Sequence, residues 1–504
     1  MRTMAAAANW IAGTVELSSK VRYGLTSRGV PLFRFVPYDK RLTPFAVGCS
    51  TRDLFYNIHA IAEPVAASGP VAASGPLSAS GQSPHMPRAA LVQTLGAPSL
   101  ETELALLIAT YAHDSRKELR KFPATAATPP DLSRHRLYPH PTFHIDPPGC
   151  RDVDDTFSFV DLPDGNWEVG IHIADVATAV QPGSPLDLHA AALSTSFYTP
   201  EGRVVQSMFP PSISEFSSSL LPTSPPSPKP TLSLFFRFDG DTITSPRWER
   251  TLTTTTSSYT YDQANKAGLA PLPQLAHTLG ADLAADSHVW VERMMILYNE
   301  QAGKLLASHG TGILRRHAAQ KLQALLAIPG VPPHLLFEAA EYCLSTDSNT
   351  RHHGLGLETY AYATSPLRRY ADLINQRAIH AILNGLPAAA ATATATATAL
   401  PVADLNRRAR QAKAFARDLF FISIAQGSSL VADGTVTIPS FQDAKGLWKT
   451  KVWVPDWKRV ITARSLEKPV FEPGTAVYLS WYDRRDAPGW KERIVFKLAK
   501  KMHV

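Results

Sequence analysis

HIDPPGCRDVDD, residues 144–155, places four aspartates, Asp146, Asp152, Asp154 and Asp155, in one short stretch. Pro147 and Pro148 forbid a helix through it. An extended or looped path puts Asp152 and Asp154 on one side and brings Asp146 back towards Asp155. Carboxylates gathered this way repel one another, and low dielectric raises their proton affinity unless cations lie between them. Divalent metals resolve the conflict, and hard oxygen ligands suit Mg²⁺ or Mn²⁺. Such a site polarises a phosphoryl oxygen and lowers the pKa of a bound water; two ions roughly 3.5–4 Å apart clamp the attacking and leaving oxygens. Two other readings stand beside it: an acidic surface loop with solvated aspartates, and a calcium loop, although the spacing departs from the EF-hand pattern.

Outward from the cluster, residues 137–260 mix strands with proline-rich loops, and SPPSPKP (224–230) reads as a surface insertion. A helix-rich stretch runs from Tyr261 to about Asn384, with helices predicted over His288–Ser308 and Ser365–Leu383. Val402–Ala425 is a further helix, in which Arg410, Lys413 and Arg417 share one face at i, i+3, i+7. Before the cluster, short runs broken by glycines (Trp10–Leu17, Val21–Leu25, Pro31–Tyr38, Phe45–Cys49) predict a small barrel. The repeated VAASGP from Val65 and the alternating Ala/Thr of 388–399 are spacers. After Val402–Ala425 the barrel pattern returns at Thr435–Ile438, Lys449–Val454, Ala476–Tyr482 and Arg493–Leu498. The expected organisation is an N-terminal barrel (1–64), a linker (65–99), a helical connector (100–136), a mixed α/β catalytic domain (137–426) and a C-terminal barrel (427–504).

The chain has 504 residues, 44% hydrophobic and 18% charged, with 41 prolines. That charge share, below the roughly 25% of soluble domains, speaks against wholesale disorder. No run of apolar residues is long enough to cross a membrane as a helix. The first eight residues hold no secretory core, which argues against secretion; Arg2 is their one basic residue, so a mitochondrial presequence and a cytoplasmic location both stay open. Cys49, Cys150 and Cys343 form no disulfide framework and no CxxC pair, as expected of an intracellular, reducing setting without structural zinc. Net charge is +7. The last 60 residues hold 14 Lys/Arg against 6 Asp/Glu, interleaved with Trp448, Trp453, Trp457, Trp481, Tyr482 and Trp490. Cations neutralise phosphates and flat rings stack bases; a solubilising basic surface around a tryptophan-rich core is the alternative.

The blocks resemble the catalytic domain of the RNase II/RNB exoribonucleases. Asp146-Pro147 with Arg151-Asp152-Val153-Asp154-Asp155 opens the likeness. It continues in VGIHIADVATAVQPGSPLDLHA (169–190), in SFYTP and MFPPSISEFSSSLLP (within 196–222), in YTYDQA (259–264) and in HGLGLETYAYATSPLRRYADLINQR (353–377). The resemblance implies an α+β architecture: an RNB-type mixed α/β catalytic domain flanked by small β-barrels, cold-shock or OB-like before it and S1-like after it. It implies metal-assisted 3′→5′ hydrolysis of single-stranded RNA to nucleoside 5′-monophosphates, with Mg²⁺ (or Mn²⁺), two ions during catalysis, and RNA as partner. By position, Asp146, Asp152 and Asp155 resemble the metal-holding carboxylates, and Asp154 the one without which activity is lost. Tyr261 resembles the tyrosine packed on the 3′-terminal nucleotides. Arg368 resembles the arginine that steadies the phosphate, a role that suits a guanidinium fork; Arg369 and Ser365 are expected to join it in contacting RNA, with pairing of Arg368 and Arg369 to Asp372 as ordinary helix surface charges the alternative.

The sequence departs from that pattern in places. The family's two successive glutamates read Glu292-Arg293, which leaves Glu292 a weak site candidate and keeps a second reading open, an RNB-fold RNA-binding scaffold with little or no hydrolysis. His172, also a weak candidate, reads as scaffold more than chemistry. One N-terminal barrel stands where bacterial relatives have two.

Overall fold

The computed structural model describes residues 10–65, 86–123, 130–318, 339–387, 401–425, 431–444, 446–484 and 493–501, together with 328, 331, 390 and 487. Most of the VAASGP repeat and of the Ala/Thr spacer, and Trp490, lie outside the described residues.

The N-terminal strands Ile11–Val15, Leu32–Pro37, Phe45–Gly48, Ile58–Pro64 and Arg88–Gly96 close into a five-stranded barrel. Val15, Phe33, Phe35, Val47, Ala60 and Ala62 fill it. Gly13 is needed there: a Cβ would come within 2.4 Å of the Val36 carbonyl oxygen. Two expectations change. Arg88–Gly96, read as linker, is the closing strand, parallel to Phe45–Gly48 and antiparallel to Ile58–Pro64. Ala89 is its one buried residue, so it shows no inward–outward alternation for sequence reading to detect. Val21–Leu25 is an exposed excursion with a single bridge, Leu25 to Pro31. The connector starts as a helix, Leu100–Leu107, capped by Ser99 and Thr102, then widens into a π-type turn at Ile108–Ala112.

The central domain contains a second closed barrel, in the order Lys229–Phe238, Ile243–Tyr259, Arg136–Ile145, Asp155–Asp161, Trp167–Ala174. Helices Ser287–Ser308 and Tyr370–Leu383 share one apolar core with it, through Met294, Tyr298, Leu373 and Ile374 among others. The second helix starts at Tyr370 and not at Ser365. Ser365 precedes a proline, which disfavours the helical conformation, and its carbonyl instead accepts the amides of Arg368 and Arg369 in a turn.

Helix Val402–Ala425 has the predicted bounds. Its Arg408 is buried and donates to the carbonyls of Leu193, Tyr111 and Ala112 at 3.0, 2.7 and 2.8 Å, tying the connector to the central domain. The C-terminal strands form one six-stranded sheet, curled so that Arg459–Ser465 meets Ile494–Lys500. Among the described residues no helix is long and apolar enough to cross a membrane.

Candidate active site

The aspartates sit on a loop between two neighbouring barrel strands. Asp146 follows Arg136–Ile145, and its amide is fixed to the Tyr259 carbonyl at 3.1 Å; Asp155 begins the antiparallel strand Asp155–Asp161. Between them Gly149, at φ +79°, permits the tight Pro-Pro-Gly turn. Val153 is buried, its amide donating to Ser219 Oγ at 3.1 Å and its carbonyl accepting from Leu220 at 3.0 Å. With Val153 turned into the core, its neighbours Asp152 and Asp154 face the same cavity, the period-two geometry expected of extended chain.

All four aspartates line a cavity of about 710 Å³ together with Tyr198, Tyr261 and Arg368. Asp146, Asp155, Tyr261 and Arg368 also line an adjoining chamber of about 430 Å³, whose further walls carry Glu292, Asn299, Tyr360, Tyr362, Ser365 and Arg369. These four residues therefore form the wall common to both spaces.

Each carboxylate has its own surroundings. Asp154 is buried; one oxygen accepts the Leu367 amide at 3.0 Å and the other the Arg368 Nε at 3.0 Å. Burial pushes it up to about 7 although Arg368 and the amide oppose the shift. Asp152 accepts the Tyr198 hydroxyl at 2.7 Å. One oxygen of Asp146 lies 2.8 Å from His144 Nδ1, whose other ring nitrogen is 2.7 Å from Ser258 Oγ. Asp155 receives no hydrogen bond to its carboxylate among the described residues, and burial followed by the charges of Asp146 and Asp154 raises it well above the usual carboxylate range. Among the described residues no group of three or more His, Cys, Asp or Glu side chains stands close enough together to hold a metal ion as placed. The donor set nevertheless fits a hard divalent ion. Six carboxylates against three guanidiniums line the larger cavity, and among the described residues Arg368 is the one guanidinium that acts on Asp155.

Tyr261 begins the helix Tyr261–Ala267, capped by Thr260. Its ring stacks on His288 at 3.7 Å and 10°, and burial with Asp146 and Asp155 nearby pushes its hydroxyl up to about 12. Arg368 keeps 45% of its side chain exposed to the cavity. Arg369 points elsewhere: it pairs with Asp372 at 2.7 Å and lies 3.9 Å from the Tyr362 ring centroid, so the two adjacent arginines do different work. Ser365 is buried and its amide donates to Asp372 at 2.8 Å. Glu292 is exposed at the chamber wall and makes no ion pair among the described residues. His172 lies inside the central barrel, 2.8 Å from Ser158 Oγ and 2.7 Å from Ser233 Oγ; it lines neither space and is part of the scaffold. Sequence reasoning assigned no role to Tyr198 or His144, although both stand inside the quoted blocks. A tyrosine or histidine near a carboxylate carries no spacing signal; only the fold shows the hydrogen bond.

The family described as RNB domain matches residues 134–269 and 334–385. An uncharacterised ribonuclease of Synechocystis, sll1290, is 29% identical over 374 residues, 60% of this chain and 54% of that protein. The chain thus spans about half the length of that relative. Among solved structures, the apo form of Mycoplasma genitalium RNase R superposes with a TM-score of 0.71 at 14% identity, covering 97% of this chain and 90% of that one. Yeast Ssd1, described as a pseudonuclease, superposes at 0.64 with 16% identity, covering 95% of this chain and 68% of that one. At these identities the superpositions show a shared fold.

Proposed function

Since the chain carries an RNB domain and with it belongs to the RNB-domain family, we propose that it is a metal-dependent 3′→5′ exoribonuclease releasing nucleoside 5′-monophosphates from single-stranded RNA. The observation that carries the reading is the gathering of Asp146, Asp152, Asp154 and Asp155 with Arg368 and Tyr261 around one cavity. Asp146 and Asp155, with Asp152 and Asp154 beside them, are the residues that would hold Mg²⁺ or Mn²⁺. Bound there, such ions supply Lewis acidity towards a phosphoryl oxygen and a water of lowered pKa.

The chain's own groups divide the remaining work. Arg368, charged and open to the cavity, offers its free N–H groups to the phosphate oxygens while its Nε holds Asp154 in place. Tyr261, covered on one face by His288, keeps its ring at the wall common to both spaces, where a terminal base can stack. Tyr198 and His144 fix the orientation of Asp152 and Asp146. The pair of Arg369 with Asp372 and the Ser365 turn hold Arg368 at the mouth of the smaller chamber. Contacts of this kind go to phosphate, ribose and base faces, so binding is sequence-tolerant and weakens with salt.

A second reading, RNA binding without hydrolysis, is favoured by one observation: the position after Glu292 is Arg293, a cation where the resemblance led to a second glutamate. Incubation of uniformly labelled single-stranded RNA with the protein and Mg²⁺ separates the two. The exoribonuclease releases mononucleotides, and Asp154→Asn abolishes the release. No release from the parent protein supports the binding-only reading. Equal rates in both proteins remove Asp154 from the chemistry.

A further inference from the structure

The cationic face of helix Val402–Ala425 has no part in the site described so far. Arg410, Lys413 and Arg417 are all exposed on it. Among the described residues, Arg410 and Lys413 enter no ion pair or hydrogen bond. Arg417 shares one edge with Asp418 at 2.7 Å but keeps 44% of its side chain exposed. At the C-terminal end of this stripe Arg417 lines a cavity of about 400 Å³ with Arg464, Arg484, Phe421 and Phe496.

Further up the stripe Lys413 stands within electrostatic reach of Arg315 and Tyr362. Arg315 is a buried cation without a carboxylate partner among the described residues. Its guanidinium lies between the rings of Tyr342 and Tyr362, 4.4 and 4.8 Å from their centroids. It donates to the Ala340 carbonyl at 2.8 Å, and its Nε has no partner. Tyr362 then carries Arg369 against its ring and lines the smaller chamber beside Asp155 and Arg368. Partial desolvation of its ammonium, followed by the neighbouring Arg315, lowers the proton affinity of Lys413, although part of the side chain stays open to solvent. A row of exposed cations leading towards Tyr362, a half-buried ring on the chamber wall, matches a polymer of phosphates and bases better than an acidic peptide, which has no use for the ring.

We propose that the face of helix Val402–Ala425 bearing Arg410, Lys413 and Arg417 is the track for the phosphodiester backbone of single-stranded RNA, leading from the C-terminal sheet into the chamber walled by Tyr362. The inference rests on the reading above for its ligand, and it fixes which of the two spaces the strand enters by: the aromatic one. The aspartates are then met from the Tyr362 side.

Binding of a fluorescein-labelled single-stranded oligoribonucleotide to the full chain, followed by anisotropy over a range of salt concentrations, tests the track. Asp154→Asn is the background, so that no RNA is consumed. Arg410→Glu with Lys413→Glu is expected to weaken binding several-fold. It also makes the plot of log affinity against log salt shallower, by about 0.7 for each lost phosphate contact. Lys413→Gln gives a smaller change in the same direction. Lys304→Glu, reversing a cation paired with Glu300 on helix Ser287–Ser308, leaves both unchanged. Unchanged affinity and slope in the double variant overturn the track, as does an equal loss in Lys304→Glu. Because this assay does not read hydrolysis, the two readings fail separately. A chain that binds RNA through Lys413 yet releases no mononucleotide keeps the track and loses the exonuclease. A chain that degrades RNA with an unaltered KM in the double variant loses the track and keeps the exonuclease.

Discussion

Asp154 and Arg368, 214 residues apart, join carboxylate Oδ2 to guanidinium Nε at 3.0 Å, and the second oxygen of the same carboxylate takes the amide of Leu367 at 3.0 Å. The turn before helix Tyr370–Leu383 is thereby latched to the aspartate loop, and the two halves of the cavity are built on one another. Asp154→Asn preserves an oxygen for the Leu367 amide and is expected to fold. Arg368→Ala leaves Asp154 buried beside no cation and costs more stability. The double variant is predicted to be less damaged than the sum of the singles, by about 0.5–3 kcal/mol. Denaturant unfolding of the four proteins checks this. Strict additivity would mean that the contact carries no energy.

Tyr198 is the residue through which the hairpin Phe197–Tyr198/Val204–Gln206 reaches Asp152. Tyr198→Phe keeps the ring and removes the hydroxyl. The expected result is near-parental stability with RNA hydrolysis reduced, on the order of tenfold for one lost orienting hydrogen bond of about 1.4 kcal/mol. The loss falls on kcat more than on KM, because the hydroxyl touches the carboxylate and not the strand. A rate equal to the parent's would show that Asp152 needs no such support.

His172 gives a pH signature separate from the cavity. Burial between Ser158 and Ser233 lowers it to about 3, so the folded protein holds it neutral. In the unfolded chain it takes a proton near 6.5. Its contribution to stability is therefore complete above about pH 6.5 and is lost as the pH falls from there towards 3, by about 1.4 kcal/mol per unit. Urea unfolding at successive pH values should show His172→Gln losing less stability than the parent across that window, while its RNA hydrolysis at neutral pH stays near that of the parent. Parallel pH profiles for the two proteins would place the acid sensitivity elsewhere.

What sequence reading reaches depends on whether a residue's task leaves a periodic trace. Helix Val402–Ala425 is legible because Pro401 precedes it and its apolar positions recur at helical spacing; the aspartates are legible because four acids in one short stretch need an explanation. Arg88–Gly96 is not, since only Ala89 is buried and its apolar residues follow no inward–outward alternation. Arg368 and Arg369 are equivalent as letters, and only the turn at Ser365 sends one to Asp154 and the other to Asp372. Tyr198 is invisible for a related reason: its partner is 46 residues away, and nothing local specifies that distance.

Glu103 shows how the terminal domains are held together. It is buried on the connector helix Leu100–Leu107, with Oε1 3.2 Å from His59 Nε2 of the N-terminal barrel and in contact with Arg493 of the C-terminal sheet. Arg493 in turn forks onto Asp483 at 3.1 and 3.1 Å, and His59 Nδ1 lies 3.0 Å from Thr14 Oγ1. One carboxylate on the connector therefore serves both terminal domains, and its removal leaves the buried guanidinium with Asp483 alone of its two acidic partners. Glu103→Ala is expected to cost about 3–5 kcal/mol, as when one member of a buried pair is deleted, and Glu103→Gln less, since an amide oxygen can still accept from Arg493. The effect should be uneven across the molecule. Amide hydrogen exchange of Glu103→Ala should rise first in strands Ile58–Pro64 and Ile494–Lys500, while the central barrel strand Trp167–Ala174 keeps its protection. Uniform faster exchange would indicate general destabilisation, and unchanged exchange at Ile58–Pro64 and Ile494–Lys500 would show that the two terminal domains are held by their apolar contacts alone.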